Sequence, residues 1–266
     1  MVYGLGSNYW GSLGLGHNDV VNSSQIIGEL CHKNITQFFN GNDFVLALTQ
    51  HNCIYGWSRK GKGQLGIAPK NTDALYLEPG LFDPKYIDNK TINQISCGYL
   101  HTMILTSDGC VYGWGYNMFG QLGCGPDSDI RKGDTFRVNF NPNHEIKGIY
   151  CCNYSSFAIT SEGQVFSWGR NDFYDLGHNS SDNIWEPQLI EAMTGIVTIC
   201  SGGRITYFLS NDGFIHFCGE YRNENNELVS EANEYNRLFE ELYRLGSGAF
   251  GEMLTNYGNV CEKCKI

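Results

Sequence analysis

The sequence has no apolar run near the eighteen or so residues that a membrane-spanning helix needs, and its start, Met1-Val2-Tyr3-Gly4, lacks the basic head and apolar stretch of a secretory signal. A cytoplasmic placement is the expectation, with the nucleus as the alternative, and no membrane partner is expected. Basic residues are scarce too: 18 Lys and Arg stand against 28 Asp and Glu, for a net charge of −10. Binding along a phosphate backbone needs clustered cations, so direct nucleic-acid binding is not expected. The 11 cysteines do not form an even set, and five of them (Cys53, Cys97, Cys110, Cys200 and Cys218) fall within strand-like apolar runs. They read as buried free thiols rather than a disulfide framework. No Ser/His/Asp set, recurrent carboxylate pair or metal-ligand spacing stands out. The sequence therefore assigns no catalytic residue, metal or cofactor, and the chain is not expected to be an enzyme.

What is present is a repeat. A hydrophobic content of 41%, with 14% aromatics, is enough for one large domain or two small ones with a real core. The stretch Val111-Tyr-Gly-Trp-Gly-Tyr-Asn-Met-Phe-Gly-Gln-Leu-Gly-Cys-Gly has copies at Val2-Tyr-Gly-Leu-Gly-Ser-Asn-Tyr-Trp-Gly-Ser-Leu-Gly, Ile54-Tyr-Gly-Trp-Ser-Arg-Lys-Gly-Lys-Gly-Gln-Leu-Gly and Val165-Phe-Ser-Trp-Gly-Arg-Asn-Asp-Phe-Tyr-Asp-Leu-Gly. A decayed fifth copy is Ile215-His-Phe-Cys-Gly, and the copies start 52, 57, 54 and 50 residues apart. A period near fifty means a solenoid, a propeller or an array.

Between these copies lies a second signature, clearest at Ile95-Ser-Cys-Gly-Tyr-Leu-His-Thr-Met-Ile-Leu-Thr-Ser-Asp-Gly, with relatives at 35–49, 149–163 and 197–213. Each holds two short apolar runs around a small turn. Three of them close on Asp108-Gly109, Glu162-Gly163 or Asp212-Gly213, which lead directly into the next Val/Ile-aromatic run. This is hairpin grammar, with glycine supplying the positive φ of a tight turn. Residues 95–115 are thus expected to form three consecutive antiparallel strands. The polar stretches 69–89 and 126–145 are expected to be surface loops with an edge strand near their ends.

Together the two signatures resemble the repeats of the regulator of chromosome condensation family, over residues 1 to about 220. The resemblance implies an all-β fold, a β-propeller of four-stranded blades, normally seven in a ring. About four full repeats and part of a fifth are found. A truncated gene product is the favoured explanation, with an open crescent or a smaller irregular ring as alternatives; open strand edges invite aggregation or a partner strand. The structural core of the repeat is assigned to Trp57, Trp114, Trp168, Gly98, His101, Gly115, Gly120, Leu122 and Gly123, with the tryptophans between blades and His101 a buried histidine satisfied by backbone. Ser156 and Thr206 are placed at the position of His101 in later copies.

Residues 221–244 read as a polar linker, in which Leu238, Phe239, Leu242 and Leu245 suit either a short amphipathic helix or a strand. From 245 to 266, Leu245-Gly-Ser-Gly-Ala-Phe-Gly-Glu-Met resembles the glycine-rich loop of a protein kinase, with Gly246, Gly248 and Gly251 at the three glycine positions. A chance glycine-rich turn is the alternative, and the catalytic motifs of a kinase are missing. The expected function is a non-catalytic adaptor that binds protein partners through loops at 73–86, 127–136 and 179–185. The alternatives are nucleotide exchange on a small GTPase, as in the founding family member, or a fragment of a longer propeller–kinase protein.

Overall fold

The structure, a computed structural model, describes residues 1–59, 61–66, 75–82, 90–126, 134–140, 144–222 and 228–231. Gly246, Gly248 and Gly251 lie outside the described residues, as do the helix-or-strand segment at 238–245 and most of the loop at 127–136; the stretch 73–86, expected to be a loop, is mostly strand, over Leu75–Phe82, because it supplies the fourth strand of its sheet.

Eighteen strands are described, and their pairing follows the repeat. A two-stranded sheet comes first, β1 (Tyr3–Gly6) with β2 (Val21–Ile26). Four antiparallel sheets of four strands follow. These are β3 (Ile35–Asn40) to β6 (Leu75–Phe82), β7 (Ile92–Cys97) to β10 (Phe136–Val138), β11 (Ile146–Cys152) to β14 (Ile184–Leu189) and β15 (Ile196–Gly202) to β18 (Leu228–Glu231). In each, the strands pair in chain order, so every sheet is a simple meander. The three strands expected within 95–115 are β7, β8 (His101–Thr106) and β9 (Val111–Gly115), and the edge strand beyond them is β10. The fourth sheet runs past residue 220: β17 (Ile215–Arg222) pairs with β18, drawn from the segment read as linker. The incomplete sheet is the first, and by register β1 and β2 are the third and fourth strands of the pattern.

Local chemistry explains the turns. The second and third strands of each full sheet are joined through a residue at positive φ: Asn52 (65°), Gly109 (76°), Gly163 (77°) and Gly213 (88°). Asparagine is the side chain that best tolerates this region, and Asn52 is held there by donating to Lys90 O and accepting from Ile92 N. Each first-to-second strand pair carries a register shift one residue after its opening isoleucine, between Ile35 and Gln37, Ile92 and Gln94, Ile146 and Gly148, and Ile196 and Thr198. A bulge at this point adds twist to the sheet.

The chain divides into two compact units, residues 1–118 with 127–138, and residues 119–126 with 139 onward. In the first unit, Leu46, Leu65, Ile95, Ile104 and Trp114 form one core, and Phe82 stacks on Trp114 with ring centroids 4.6 Å apart. In the second, Phe157, Leu176, Ile190, Ile199 and Phe208 form the core, with Phe157 edge-on to Phe208. Strands β8 and β12 (Ser155–Thr160) are buried on both faces along their whole length. That is why they read as continuous apolar runs rather than alternating ones.

Candidate interaction face

The signature residues form the stitching of the fold. The indole N–H of Trp57 donates to Ser12 O (2.9 Å), that of Trp114 to Gln64 O (2.9 Å) and that of Trp168 to Gln121 O (3.0 Å). At the fourth position Cys218 replaces tryptophan, and its thiol donates to Asp175 O (3.1 Å). Ser12, Gln64, Gln121 and Asp175 occupy one place in the Gly-x-Leu-Gly turn of the preceding repeat. Each turn therefore plugs into the next sheet. Gly123 is needed for this approach: it has φ 71°, and a Cβ there would lie 2.9 Å from Trp168 Nε1. Gly98, Gly120, Leu122 and Gly123 are all buried, Trp57 is 2% exposed, and Trp114, Trp168 and His101 are fully buried.

Replacing Trp168 with phenylalanine removes the donor to Gln121 O and leaves a small void. We expect a loss of about 2–3 kcal/mol in urea unfolding, with less loss for Cys218→Ala, whose thiol bond is weaker.

Register corrects one sequence assignment. His101 lies opposite Gly115, Ser155 opposite Gly169 and Ile205 opposite Gly219. Ser156 and Thr206 therefore match Thr102, not His101. The function of that place is visible: Thr102 Oγ1 and Ser156 Oγ donate to Gln64 O and Gln121 O, the same carbonyls that receive the indoles.

Beyond the third strand the frame residues give way to variable ones, and these build a face on each unit. The residue after the glycine of that strand, or after Ser58 in the glycine's place, is Arg59, Tyr116, Arg170 or Glu220, and its N–H bonds to the carbonyl of Asp43, Leu100, Tyr154 or Arg204 at the first hairpin. In the first unit, the Arg59 guanidinium lies 4.7 Å from the Trp10 ring and 3.3 Å from Asp43, and Lys62 Nζ is 5.2 Å from the Tyr116 ring. In the second unit, Arg170 lies about equally over Phe119 and Phe173 (5.2 Å each), and Arg204 lies 4.4 Å from the Phe173 ring while pairing with Glu220 at 2.8 Å. Each junction thus carries one cation and one aromatic ring, although the residues exchange roles. Stacked cations of this kind are stiff and half-exposed: Arg59 is 50% and Arg204 53% accessible.

Beneath the face of the second unit lies Asp175, only 8% exposed, and burial pushes its carboxyl up to about 7. Asp43 is raised in the same direction, also chiefly by burial, with Arg59 opposing. Among the proposed loops, 179–185 is described throughout. With Pro126, His178 and Pro187 it borders an open cavity of about 780 Å³. His178 accepts from or donates to Ser167 Oγ at 2.9 Å, and burial lowers its pKa. Among the described residues no group of three or more His, Cys, Asp or Glu is placed to hold a metal, and no helix is long and apolar enough to cross a membrane.

The family model described as the regulator of chromosome condensation repeat matches residues 108–159 and 162–209, and a second model of the same repeat matches 92–121. Residues 92–159 and 162–209 of the chain are regulator of chromosome condensation repeats. Its fold is an incomplete propeller of that type, and Prp20p from Saccharomyces cerevisiae superposes with a TM-score of 0.74 at 20% identity, over 86% of this chain and 57% of that one. Among relatives, mouse E3 ubiquitin-protein ligase HERC2 is 29% identical over 82% of this chain, and the ultraviolet-B receptor UVR8 of Arabidopsis thaliana is 32% identical over 73%. The chain spans 4% and 42% of their respective lengths. The solved Prp20p was examined for binding to Gsp1p and histones, and yeast RCC1 (Prp20) has been seen bound to Kap60. The condensation-repeat signature is the frame of tryptophans, glycines and plugged turns; the cation–aromatic face is what this frame holds out.

Proposed function

We propose that this chain is a non-catalytic protein-binding module, an adaptor that engages its partner through the cation–aromatic face. The observation that carries the reading is the division of labour within each repeat. Frame positions are buried and chemically fixed, whereas the places held by Arg59, Tyr116, Arg170 and Glu220 vary in identity and remain partly accessible, from 50% at Arg59 to 14% at Glu220. Arginine and aromatic residues on rigid backbone are the side chains from which binding hot spots are made. Protein partners of the yeast propeller support the same class.

The test is affinity capture from native extract, with proteins quantified for the intact chain, for a variant with Arg59, Arg170 and Arg204 changed to alanine, and for Glu162→Lys at the other end of the sheets. Partners that fall at least about fivefold with the triple variant and persist with Glu162→Lys support the reading. A captured set indifferent to the triple variant would sink it. Nucleotide exchange on a small GTPase is scored in parallel: faster release of a fluorescent guanine nucleotide at micromolar protein would replace the adaptor reading with the exchange one.

A further inference from the structure

In the second unit the outermost strand of the sheet β11 to β14 lines a cavity along its whole length. This is the open space of about 780 Å³ that Pro126 and the loop before β14 also border. Part of its wall is frame. Leu77-Glu78-Pro79 of β6 and Trp185-Glu186-Pro187 of β14 hold one place, since Leu77 O accepts from Gly16 N and Trp185 O from Gly125 N. Pro79 lies against Gly14 beside Trp57, and Pro187 lies against Gly123 beside Trp168. The aromatic ring is the departure: where β6 has the aliphatic Leu77, β14 has Trp185, half-buried on the cavity wall.

The charges on this wall are fixed and of one sign. Glu186 Oε1 lies 3.0 Å from where a Cβ on Gly125 would stand, so the carboxylate rests against the turn that carries Pro126. Asp182 is held by Ser180, whose hydroxyl donates to Oδ2 at 2.7 Å and accepts the Asp182 N–H at 2.9 Å. Neither carboxylate has a cationic partner among the described residues. The described wall holds no lysine or arginine, and burial keeps its imidazole, His178, neutral by lowering its pKa. Trp185 O is already bonded and Pro187 offers no N–H, so the edge is poorly suited to an added strand. Recognition here falls to side chains.

We propose that this cavity binds an arginine side chain presented by an exposed segment of a partner protein, with the guanidinium on the Trp185 ring and its charge met by Glu186 and Asp182. Tryptophan is the ring that attracts a cation most strongly, and a guanidinium stacks on it while keeping its N–H groups for carboxylates. The proline side chains suit the methylene stem. The site shares no residue with the cation–aromatic face and selects the opposite charge, so it stands or falls separately from the reading of that face.

The test is an NMR titration of residues 1–266, isotopically labelled at tryptophan, with the nonapeptide Gly-Ser-Arg-Gly-Ser-Arg-Gly-Ser-Arg. Trp185→Phe identifies the Trp185 indole resonance by its loss. The arginine peptide is expected to move that resonance to saturation, and the same peptide with glutamate for arginine to leave it in place. Affinity, read from the anisotropy of the fluorescein-labelled peptide, is expected to fall about tenfold in Asp182→Asn/Glu186→Gln. Glu145→Gln/Glu162→Gln removes as much charge at the hairpin end of the sheet and is expected to change affinity less than about twofold. All four side chains are exposed, and circular dichroism verifies that both variants fold. A Trp185 resonance that does not move overturns the proposal. So does an equal loss in the two double variants, which would reveal only a general attraction to an acidic chain.

Discussion

Replacing Gly115 with alanine is expected to destabilise the first unit by about 3–5 kcal/mol, enough to unfold most of it at ambient temperature. Two effects add. The residue sits at φ 111°, outside the territory of side-chain-bearing residues. Its Cβ would also approach Leu100 O to 2.5 Å and His101 Cα to 2.9 Å, and both are backbone atoms that cannot rotate away. Gly6→Ala separates the two, because Gly6 has the same φ of 111° with open space around it. Its loss is the strain alone, about 1–2 kcal/mol. Ser58 proves that the conformation can be held by a side chain at a suitable site: it has φ 90°, and its hydroxyl donates to Trp10 O at 2.7 Å. Urea unfolding of the two alanine variants checks the claim. Equal losses would show that the clash contributes nothing.

Asp175→Asn is expected to stabilise the second unit, and only at neutral and higher pH. The carboxyl ordinarily titrates at 3.8, and burial raises it to about 7 in the folded chain. Between these values the folded state holds a proton that the unfolded state has lost, so stability falls as pH rises from about 4 to 7 and is level above. The difference between 3.8 and about 7 corresponds to up to about 4 kcal/mol. The asparagine variant lacks this slope. Its midpoint in urea should exceed that of the parent at pH 8 and match it near pH 4. A gain equal at both pH values would mean that packing, not ionisation, separates the two side chains. The other repeats have Ser12, Gln64 or Gln121 here, all neutral, so the carboxylate is the exception among the four turns.

Much of the fold was legible because glycine and the hairpin turn act locally. Asp108-Gly109 joins two apolar runs too short for a helix, and the structure puts Gly109 at positive φ between β8 and β9. Register was not legible. Placing Ser156 at the position of His101 was an error of one residue, and in a strand one residue exchanges the faces of a sheet. Only pairing partners could decide it, since His101 and Thr102 are both polar and both fully buried. The face escaped notice for another reason. Arg59 with Trp10 and Tyr116 with Lys62 present the same interaction with the partners exchanged, so a position-by-position comparison of repeats sees only variation there. Leu5 stands at the tryptophan position of its copy, yet its exposure depends on a neighbouring strand rather than on its own identity.

The plugged turn has a practical meaning for dissection of the molecule. Residues 119–126 come three residues after β9 but belong with the sheets that follow them, because Gln121 O receives both Trp168 and Ser156. Someone who excises the later sheets at the visible strand boundary, beginning near Ile146, discards the acceptor and leaves an indole and a hydroxyl stranded in the interior. A start at Phe119 keeps them satisfied. The period seen in the sequence and the piece that folds are out of phase by one turn, and a pair of scissors should follow the second.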